Sequence, residues 1–298
     1  MKRLLASGML ACATALAGNA SHAQGAVRDD RGAVVALKSP PQRIVSLLPS
    51  LTESVCALGA CTRLVGVDRY SNWPASVLAL PRLGGLDDAP IERIVALHPD
   101  LVLVASSARV VDRLEALGLT VAVLEPRDRA DAKRSLETIA RLLGTPAEAA
   151  RVWAEIEREI RAAAARVPTS LRGQKVYFEV DEAPYAAGPT SFIGETLAQL
   201  GLSSVLPAAL GPFPKLNPEY VVRLQPDLIM AGKLAIAEMP KRPGWATLHA
   251  LRESRTCGFA TANYEVLIRP GPRMGEAAGR VADCLEAIAA RAKATKVH

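Results

Sequence analysis

The chain has 298 residues, of which 50% are hydrophobic and 22% are charged. This composition excludes a disordered chain and supplies enough apolar material for one large or two ordinary globular domains. The net charge is +6 but aromatic residues make up only 4%, so the sequence lacks the basic, aromatic-rich face of a nucleic-acid binder.

The first 23 residues have the pattern of a secretory signal peptide. Two basic residues precede an apolar run at 4–16, and a small-x-small site ends at Ala23. We therefore expect cleavage after Ala23 and a periplasmic location. Two alternatives remain: a membrane anchor, for which the apolar run is short, and a lipoprotein modified at Cys12, which lies inside that run.

The next part of the chain alternates predicted strands with predicted helices. A hairpin is predicted at 27–37, where Asp30-Arg31-Gly32 separates two apolar runs. Strands are then predicted at 43–47, 64–67, 101–104 and 120–124. Helices are predicted at 49–58, 90–97 and 110–117. This alternation predicts a parallel sheet with helices on both faces.

A long amphipathic helix is predicted at 146–167, near the middle of the chain. Thr145 is its predicted N-cap, Pro146 takes the first helical position, and Glu148 lies in the first turn, where negative charge is favoured. Apolar residues recur on one side at steps of three and four. Such a helix reaches about 33 Å, so we interpret it as a rigid connection between two lobes.

The second half repeats the alternation and contains an internal repeat. Strands are predicted at 175–180, 203–206, 228–230 and 257–261, and helices at 193–200, 218–224 and 274–291. The segments IERIVALHPDLVLV and PEYVVRLQPDLIMA share the pattern x-Glu-x-(Ile/Val)-Val-x-Leu-x-Pro-Asp-Leu and begin at residues 91 and 218. One copy is explained as a turn between helix and strand, but two copies in matching places predict two related lobes.

These signals divide the chain into four parts. We predict a signal peptide at 1–23, an N-terminal α/β lobe at 24–130, connecting helices at 131–170, and a C-terminal α/β lobe at 171–298.

Four cysteines remain after removal of the signal: Cys56, Cys61, Cys257 and Cys284. In an oxidising compartment the pairs Cys56 with Cys61 and Cys257 with Cys284 would give one bridge per lobe, although four cysteines allow three pairings. None lies in a Cys-x-x-Cys motif, so thiols or disulfides fit better than a metal site.

The segments PPQRIVSLLPSLTE and RPGPRM and the two repeat copies together resemble the periplasmic substrate-binding proteins of ABC importers. The resemblance covers nearly all of the mature chain and is to the class with a helical backbone that carries cobalamin, haem and ferric siderophores. It implies two α/β lobes with central, mostly parallel sheets, joined by one long bridging α-helix. It further implies a small-molecule ligand between the lobes and an inner-membrane permease as partner. We also expect a monomer with no cofactor or metal of its own.

The resemblance implies that three loops contact the ligand, with cobalamin-binding members of the class as the most similar. Tyr70 and Trp73 in DRYSNWP match a Tyr-Ser-x-aromatic-Pro run. Phe213 in GPFPKLNPE takes the place of a tryptophan between two prolines. Asn263 and Tyr264 in TANYEVLIRPGPRM take the place of an acidic residue followed by tryptophan.

Three further residues complete the predicted ligand set: Arg269 and Arg273 in the third loop, and Tyr185 in DEAPYAAGP. The set suits a bulky, partly planar ligand, because aromatic faces bury area while amide, phenol and guanidinium groups fix orientation. Core packing is the alternative for any single aromatic residue, but a core explains loop aromatics beside Pro and Gly less easily.

Glu92 and Glu219, one in each repeat copy, match the two surface carboxylates with which the family docks onto arginines of the permease. Charges at such positions set orientation more than affinity. The alternative is that each carboxylate stabilises the start of its own helix, and the duplication favours docking.

One departure from the family leaves the ligand open. Where cobalamin-binding members have a tryptophan before the first docking glutamate, this chain reads RLGGL at 82–86. The overall match favours a corrinoid, whereas haem or a ferric siderophore is the alternative, with Tyr70, Tyr185 or Tyr264 as a ligand of haem iron.

An enzyme is the main alternative from a different functional class. The sequence has no His-x-x-x-His, Cys-x-x-Cys or Gly-x-Ser-x-Gly motif and no Gly-rich phosphate loop after a strand. A two-lobed metal-handling enzyme can share the outline, since fold does not carry function. We expect a binding protein with no catalytic residues.

Overall fold

The computed structural model describes residues 26–85, 87–181 and 184–295. The predicted signal peptide, with its cleavage site and Cys12, lies outside the described residues. Within them, none of the helices combines the length and the apolar character that a membrane span needs.

The first lobe is built on a four-stranded parallel sheet in the order β4-β3-β5-β6. A hairpin precedes it, formed by β1 (Val27–Arg28) and β2 (Val34–Val35). The sheet strands are β3 (Ile44–Ser46), β4 (Leu64–Val67), β5 (Leu101–Val104) and β6 (Val121–Val123), and the helices are α1 (Pro49–Ala57), α2 (Ile91–Ala96) and α3 (Val111–Ala116). Alternate residues of β5 enter two different cores, so both faces of the sheet are covered.

Two helices, α4 (Arg129–Leu143) and α5 (Pro146–Arg166), connect the lobes. The predicted long helix is confirmed, and its apolar side is buried at every third or fourth residue. The N-cap prediction is wrong in one respect: Thr145 precedes the helix, but its side chain makes no cap bond, and its buried hydroxyl has no hydrogen-bond partner among the described residues. With φ −126° and ψ 51°, Thr145 departs from the extended backbone of a typical N-cap.

The second lobe contains a five-stranded sheet in the order β11-β10-β7-β8, with β9 beside the start of β7. All pairs are parallel except β7 with β8. The strands are β7 (Lys175–Asp181), β8 (Tyr185–Ala186), β9 (Ser203–Ser204), β10 (Leu228–Gly232) and β11 (Thr256–Phe259). The helices are α6 (Phe192–Gln199), α7 (Pro218–Leu224), α8 (Lys233–Glu238), α9 (His249–Arg252), α10 (Thr261–Leu267) and α11 (Met274–Thr295).

One apolar core runs from the first sheet through α4 and α5 to the second sheet. Helix α11 packs along α5 and closes this core. The predicted fold class, two α/β lobes joined by a long helix, is therefore confirmed, while the residue numbers that separate the parts stay predictions.

The internal repeat has a structural cause that is the same in both lobes. His98 and Gln225 end their helices in the left-handed region, each with φ of 44°. The carboxylates of Asp100 and Asp227 then accept a backbone N–H at the start of the first sheet strand of their own lobe, at 2.9 and 2.8 Å. The shared Pro-Asp sequence thus anchors each sheet in the same way.

Each lobe contains one disulfide. Cys56 and Cys61 join the end of α1 to the turn that follows it, and Cys257 and Cys284 join β11 to α11. In the described part of the chain, no cluster of three His, Cys, Asp or Glu side chains is placed to hold a metal ion.

Candidate functional site

A cavity of about 500 Å³ lies where the two lobes meet. Its size is within the range of small-molecule sites, roughly 300–1,000 Å³. The wall from the first lobe comes from the segments that follow all four sheet strands, including the first turn of α1: Leu48, Pro49, Ser50, Tyr70, Ala105, Ser107, Glu125 and Pro126. The carboxyl ends of the parallel strands therefore face the second lobe.

The opposite wall comes from the end of β7, the start of α6, the loop before α7, and the end of α10 with the residues that follow it. Its members are Val180, Phe192, Ile193, Phe213, Glu265, Ile268, Arg269 and Pro270. Phe213 packs against Phe192 with the ring centroids 5.8 Å apart, and Tyr70 faces the same cavity from the first lobe with 61% of its surface exposed. Two of the predicted aromatic residues thus meet across one cavity.

The cavity lining is mostly apolar and carries a small negative charge. Among its described residues, Glu125 and Glu265 are acidic and Arg269 is the one cation, which gives a formal charge of −1.

Arg269 is buried and its hydrogen bonds are taken by protein groups. One guanidinium nitrogen donates to the Glu53 carboxylate at 2.9 Å and to the Asn72 amide oxygen at 2.8 Å. The other donates to the backbone oxygen of Tyr70 at 3.0 Å and to the Glu265 carboxylate at 3.1 Å. Arg269 therefore joins the segment after α10 to α1 and to the loop after β4.

Arg273 continues this network away from the cavity. Its guanidinium lies 3.6 Å from Glu53, donates to Glu276 at 2.9 Å, and covers the Trp73 ring at 5.0 Å. Neither Arg273 nor Trp73 lines the cavity.

The Glu53 side chain is 1% exposed, and its surroundings shift its pKa. Burial raises the pKa of Glu53, and the hydrogen bond and charge of Arg269, with the charge of Arg273, offset this only in part. Its Oε2 atom has no hydrogen-bond partner among the described residues.

The loop that carries Tyr70 is held by a buried carboxylate. Asp68 accepts the backbone N–H groups of Tyr70 at 2.7 Å and Ser71 at 3.1 Å. The Ser71 hydroxyl in turn donates to Thr52 on α1 at 2.9 Å. An Asx-type turn of this kind fixes the loop locally, as Asp and Asn side chains often do.

Tyr264 faces a second cavity, of about 430 Å³, at the carboxyl ends of β7, β10 and β11. Its hydroxyl donates to the Glu179 backbone oxygen at 2.7 Å, and burial raises its pKa. Asn263 lines neither cavity, and Val180 borders both. The prediction that Asn263 and Tyr264 lie in a loop is wrong, because the structure places both on α10. This segment forms a helix with Val266 and Leu267 buried on one side.

The remaining predicted residues lie outside the cavity between the lobes. The Tyr185 ring is covered by the Lys215 ammonium at 5.8 Å. Glu92 and Glu219 are exposed in the first turns of α2 and α7, one on each lobe.

The sequence interpretation missed most of the first-lobe wall, including Leu48, Ser107 and Glu125. A usable signal was present, because ligands of open α/β sheets bind outside the carboxyl ends of the strands. Each of these residues follows a predicted strand by a few positions.

Two α/β lobes, a long connecting helix and an apolar cavity at their junction define a periplasmic binding protein of the helical-backbone class. Residues 44–257 match the family model described as "Periplasmic binding protein". The chain belongs to this family.

Known relatives differ in what their names say they bind. An uncharacterized ABC transporter substrate-binding lipoprotein of Bacillus subtilis is 26% identical over 262 residues, which cover 84% of this chain and 82% of that protein. A cobalamin-binding protein of Halobacterium salinarum is 28% identical over 268 residues, covering 86% and 72%. The apo structure of the periplasmic heme-binding protein RhuT from Roseiflexus sp. RS-1 has a TM-score of 0.71 and 26% identity, covering 83% and 99%.

Proposed function

We propose that the protein is the periplasmic substrate-binding component of an ABC importer. It captures a corrinoid such as cobalamin between its lobes, without altering it, and delivers it to an inner-membrane permease. The observation that carries this proposal is the cavity of about 500 Å³ with walls from both lobes and with Tyr70 and Phe213 on opposite sides. Export with cleavage after Ala23 is part of the same proposal.

The charge of the lining favours a corrinoid over haem. A corrin ring carries neutral amide side chains, which can donate to Glu125 and Glu265 and pack against the apolar wall. Haem carries carboxylate side chains, and Arg269, the one cation among the described lining residues, is already bound to two carboxylates. Burying two anions is unfavourable when no uncommitted cation among the described lining residues can pair with them.

Haem is the second candidate, because of Tyr70. A tyrosine oxygen can ligate haem iron, and the Tyr70 ring is exposed at the cavity with the Arg69 guanidinium 5.9 Å from its centroid. The similarity to a heme-binding protein supports this candidate.

Delivery would use the two lobes together. Glu92 and Glu219 occupy equivalent positions of the repeat and are exposed, so a permease with one basic site for each can select the orientation of the bound protein.

Calorimetric titration of the mature protein with cyanocobalamin, haemin and a ferric siderophore tests the proposal. We expect cyanocobalamin to bind. Binding should raise the free energy of unfolding by RT ln(1 + [L]/Kd), about 2.7 kcal/mol when the ligand concentration is a hundred times Kd, and the melting temperature should rise accordingly. Tight binding of haemin without binding of cyanocobalamin would overturn the corrinoid assignment. Failure of all three ligands would overturn this class of ligand.

A further inference from the structure

A buried ion cluster joins the two lobes beside the cavity. Glu53 belongs to α1 of the first lobe, and Arg269 and Arg273 belong to the segment between α10 and α11 of the second lobe. The Glu53 and Arg269 side chains are 1% and 8% exposed. Glu53 does not line the cavity, whereas Arg269 does.

The backbones of the two lobes also meet closely at this place. A Cβ atom on Gly271 would lie 3.3 Å from the backbone oxygen of Ser50 on α1. This distance is tighter than most Cβ contacts, so a side chain here would require the two lobes to shift by a few tenths of an ångström. The ion cluster is therefore enclosed by a tight contact and is shielded from solvent.

The cluster holds the two lobes through several first-lobe groups at once. Arg269 donates to Glu53, to Asn72 and to the backbone of Tyr70, all in the first lobe. Asn72 also donates to Glu265 of the second lobe at 2.7 Å. Hydrogen bonds from a planar guanidinium are directional, so this set restrains the relative position of the lobes.

Stability alone does not explain the burial of Glu53. Its Oε2 atom lacks a hydrogen-bond partner in the described part of the chain, and an unsatisfied buried carboxylate oxygen is costly. A buried ion pair is weak evidence for stability, and its best-attested role is to fix a unique arrangement.

We propose that Glu53 is a positioning residue: by holding Arg269 it fixes the lobes relative to each other at one side of the cavity. Ligand affinity then depends on Glu53 although Glu53 does not touch the ligand. The second statement rests on the proposed function, whereas the first concerns the protein without ligand.

The first statement is tested without any ligand. Spin labels can be attached to Ala96→Cys and Ala237→Cys, two exposed positions in different lobes. Double electron–electron resonance then measures the distance between the lobes. We expect one narrow distance distribution in the otherwise unchanged protein and a broader one after Glu53→Gln, which keeps the shape of the side chain but removes its charge. An unchanged distribution in folded Glu53→Gln protein would overturn the proposal.

A matched control and a milder variant keep the test decisive. Glu157→Gln removes the partner of the buried Arg129 in an ion pair between α4 and α5, so its distance distribution should stay narrow. Broadening by Glu157→Gln to the same extent would overturn a specific role for Glu53. If Glu53→Gln does not fold, Asn72→Ala, a change at an exposed position, should still broaden the distribution, and a narrow one would overturn the proposal.

The second statement is tested by titration with cyanocobalamin and haemin. Glu53→Gln should weaken whichever ligand binds by about tenfold, mainly through faster dissociation, and Glu157→Gln should leave the affinity unchanged. Unchanged affinity in Glu53→Gln would overturn this statement. If no ligand binds even the unchanged protein, the proposed function fails, while the distance measurement still decides the role of Glu53.

Discussion

At the scale of single residues, Phe213 provides the clearest test of the cavity wall. Its ring packs on Phe192 and faces the space opposite Tyr70. We expect Phe213→Ala to weaken capture of the ligand by roughly tenfold to a hundredfold, about 1.4–2.8 kcal/mol, because the ligand loses a large apolar contact. Leu210→Ala is the control, since Leu210 is an exposed apolar residue nearby that does not line the cavity. Equal losses in both variants, measured by titration, would contradict the assignment.

Two carboxylates of the connecting helices should make opposite contributions to stability at neutral pH. Burial tends to raise the pKa of Asp131, but hydrogen bonds from Arg134 and from the Arg127 backbone outweigh it and lower the pKa below 3.8. Burial and the charge of Glu155 raise the pKa of Glu159 above 4.5. The stabilisation from Asp131 is present above 3.8 and is lost as pH falls through its lowered pKa. That from Glu159 is present below 4.5 and is lost as pH rises through its raised pKa.

Denaturant unfolding of two variants between pH 3 and 7 checks this sign. At pH 7 Asp131→Asn should lower the free energy of unfolding and Glu159→Gln should raise it. Both differences from the unchanged protein should shrink towards pH 3. Differences of the same sign, or differences that do not change with pH, would show that the two environments are misassigned.

Single residues also mark the limit of what local sequence can predict. Tyr70 and Phe213 could be placed in one cavity, because each lies in a loop with a recognisable aromatic pattern. The pairing of Arg269 with Glu53 could not, since the two are 216 positions apart and nothing local links them. Local sequence therefore predicts only a ligand contact for Arg269, although four protein groups accept its hydrogen bonds.

At the scale of elements, the first turns of α2 and α7 carry the proposed docking carboxylates. We expect Glu92→Lys combined with Glu219→Lys to abolish uptake of ligand by cells, because both contacts with basic sites on the permease become repulsive. Ligand affinity should stay within about twofold in titration, since neither residue lines the cavity. Asp112→Lys is the control, because Asp112 is also exposed in the first turn of a first-lobe helix but has no equivalent in the repeat. Normal uptake by the double variant would refute docking through these residues.

Elements with a clear periodic or repeat signal agree with the sequence prediction, including the short helix α7 and the short strands β4 and β5, whereas α8 and α10 are not predicted. Helix α5 was predicted within one residue, because its apolar spacing extends over 21 residues with Pro146 at its start. Helix α10 has only seven residues, so its two buried apolar positions give little periodic signal and the aromatic match suggested a loop. Its helical form turns Tyr264 towards the second cavity, which changes the part of the cleft that this residue can serve.

At the scale of the whole molecule, the cavity follows from the topology of two mostly parallel sheets. Every sheet strand of the first lobe ends towards the second lobe, so its loops form one wall. The continuous core through α5 and α11 connects the two lobes and so holds the wall from the second lobe opposite the wall from the first. The repeat predicted two similar lobes, but the shape and charge of the space between them depend on contacts between distant residues and could be seen only in the structure.

The position of the ligand tests the central claim most directly. Crystals of the protein with cyanocobalamin, measured at the cobalt absorption edge, locate the metal without assumptions about the protein. The account predicts one anomalous peak between the lobes, in the cavity lined by Tyr70 and Phe213. A cobalt peak elsewhere on the protein, with that cavity empty, would contradict it.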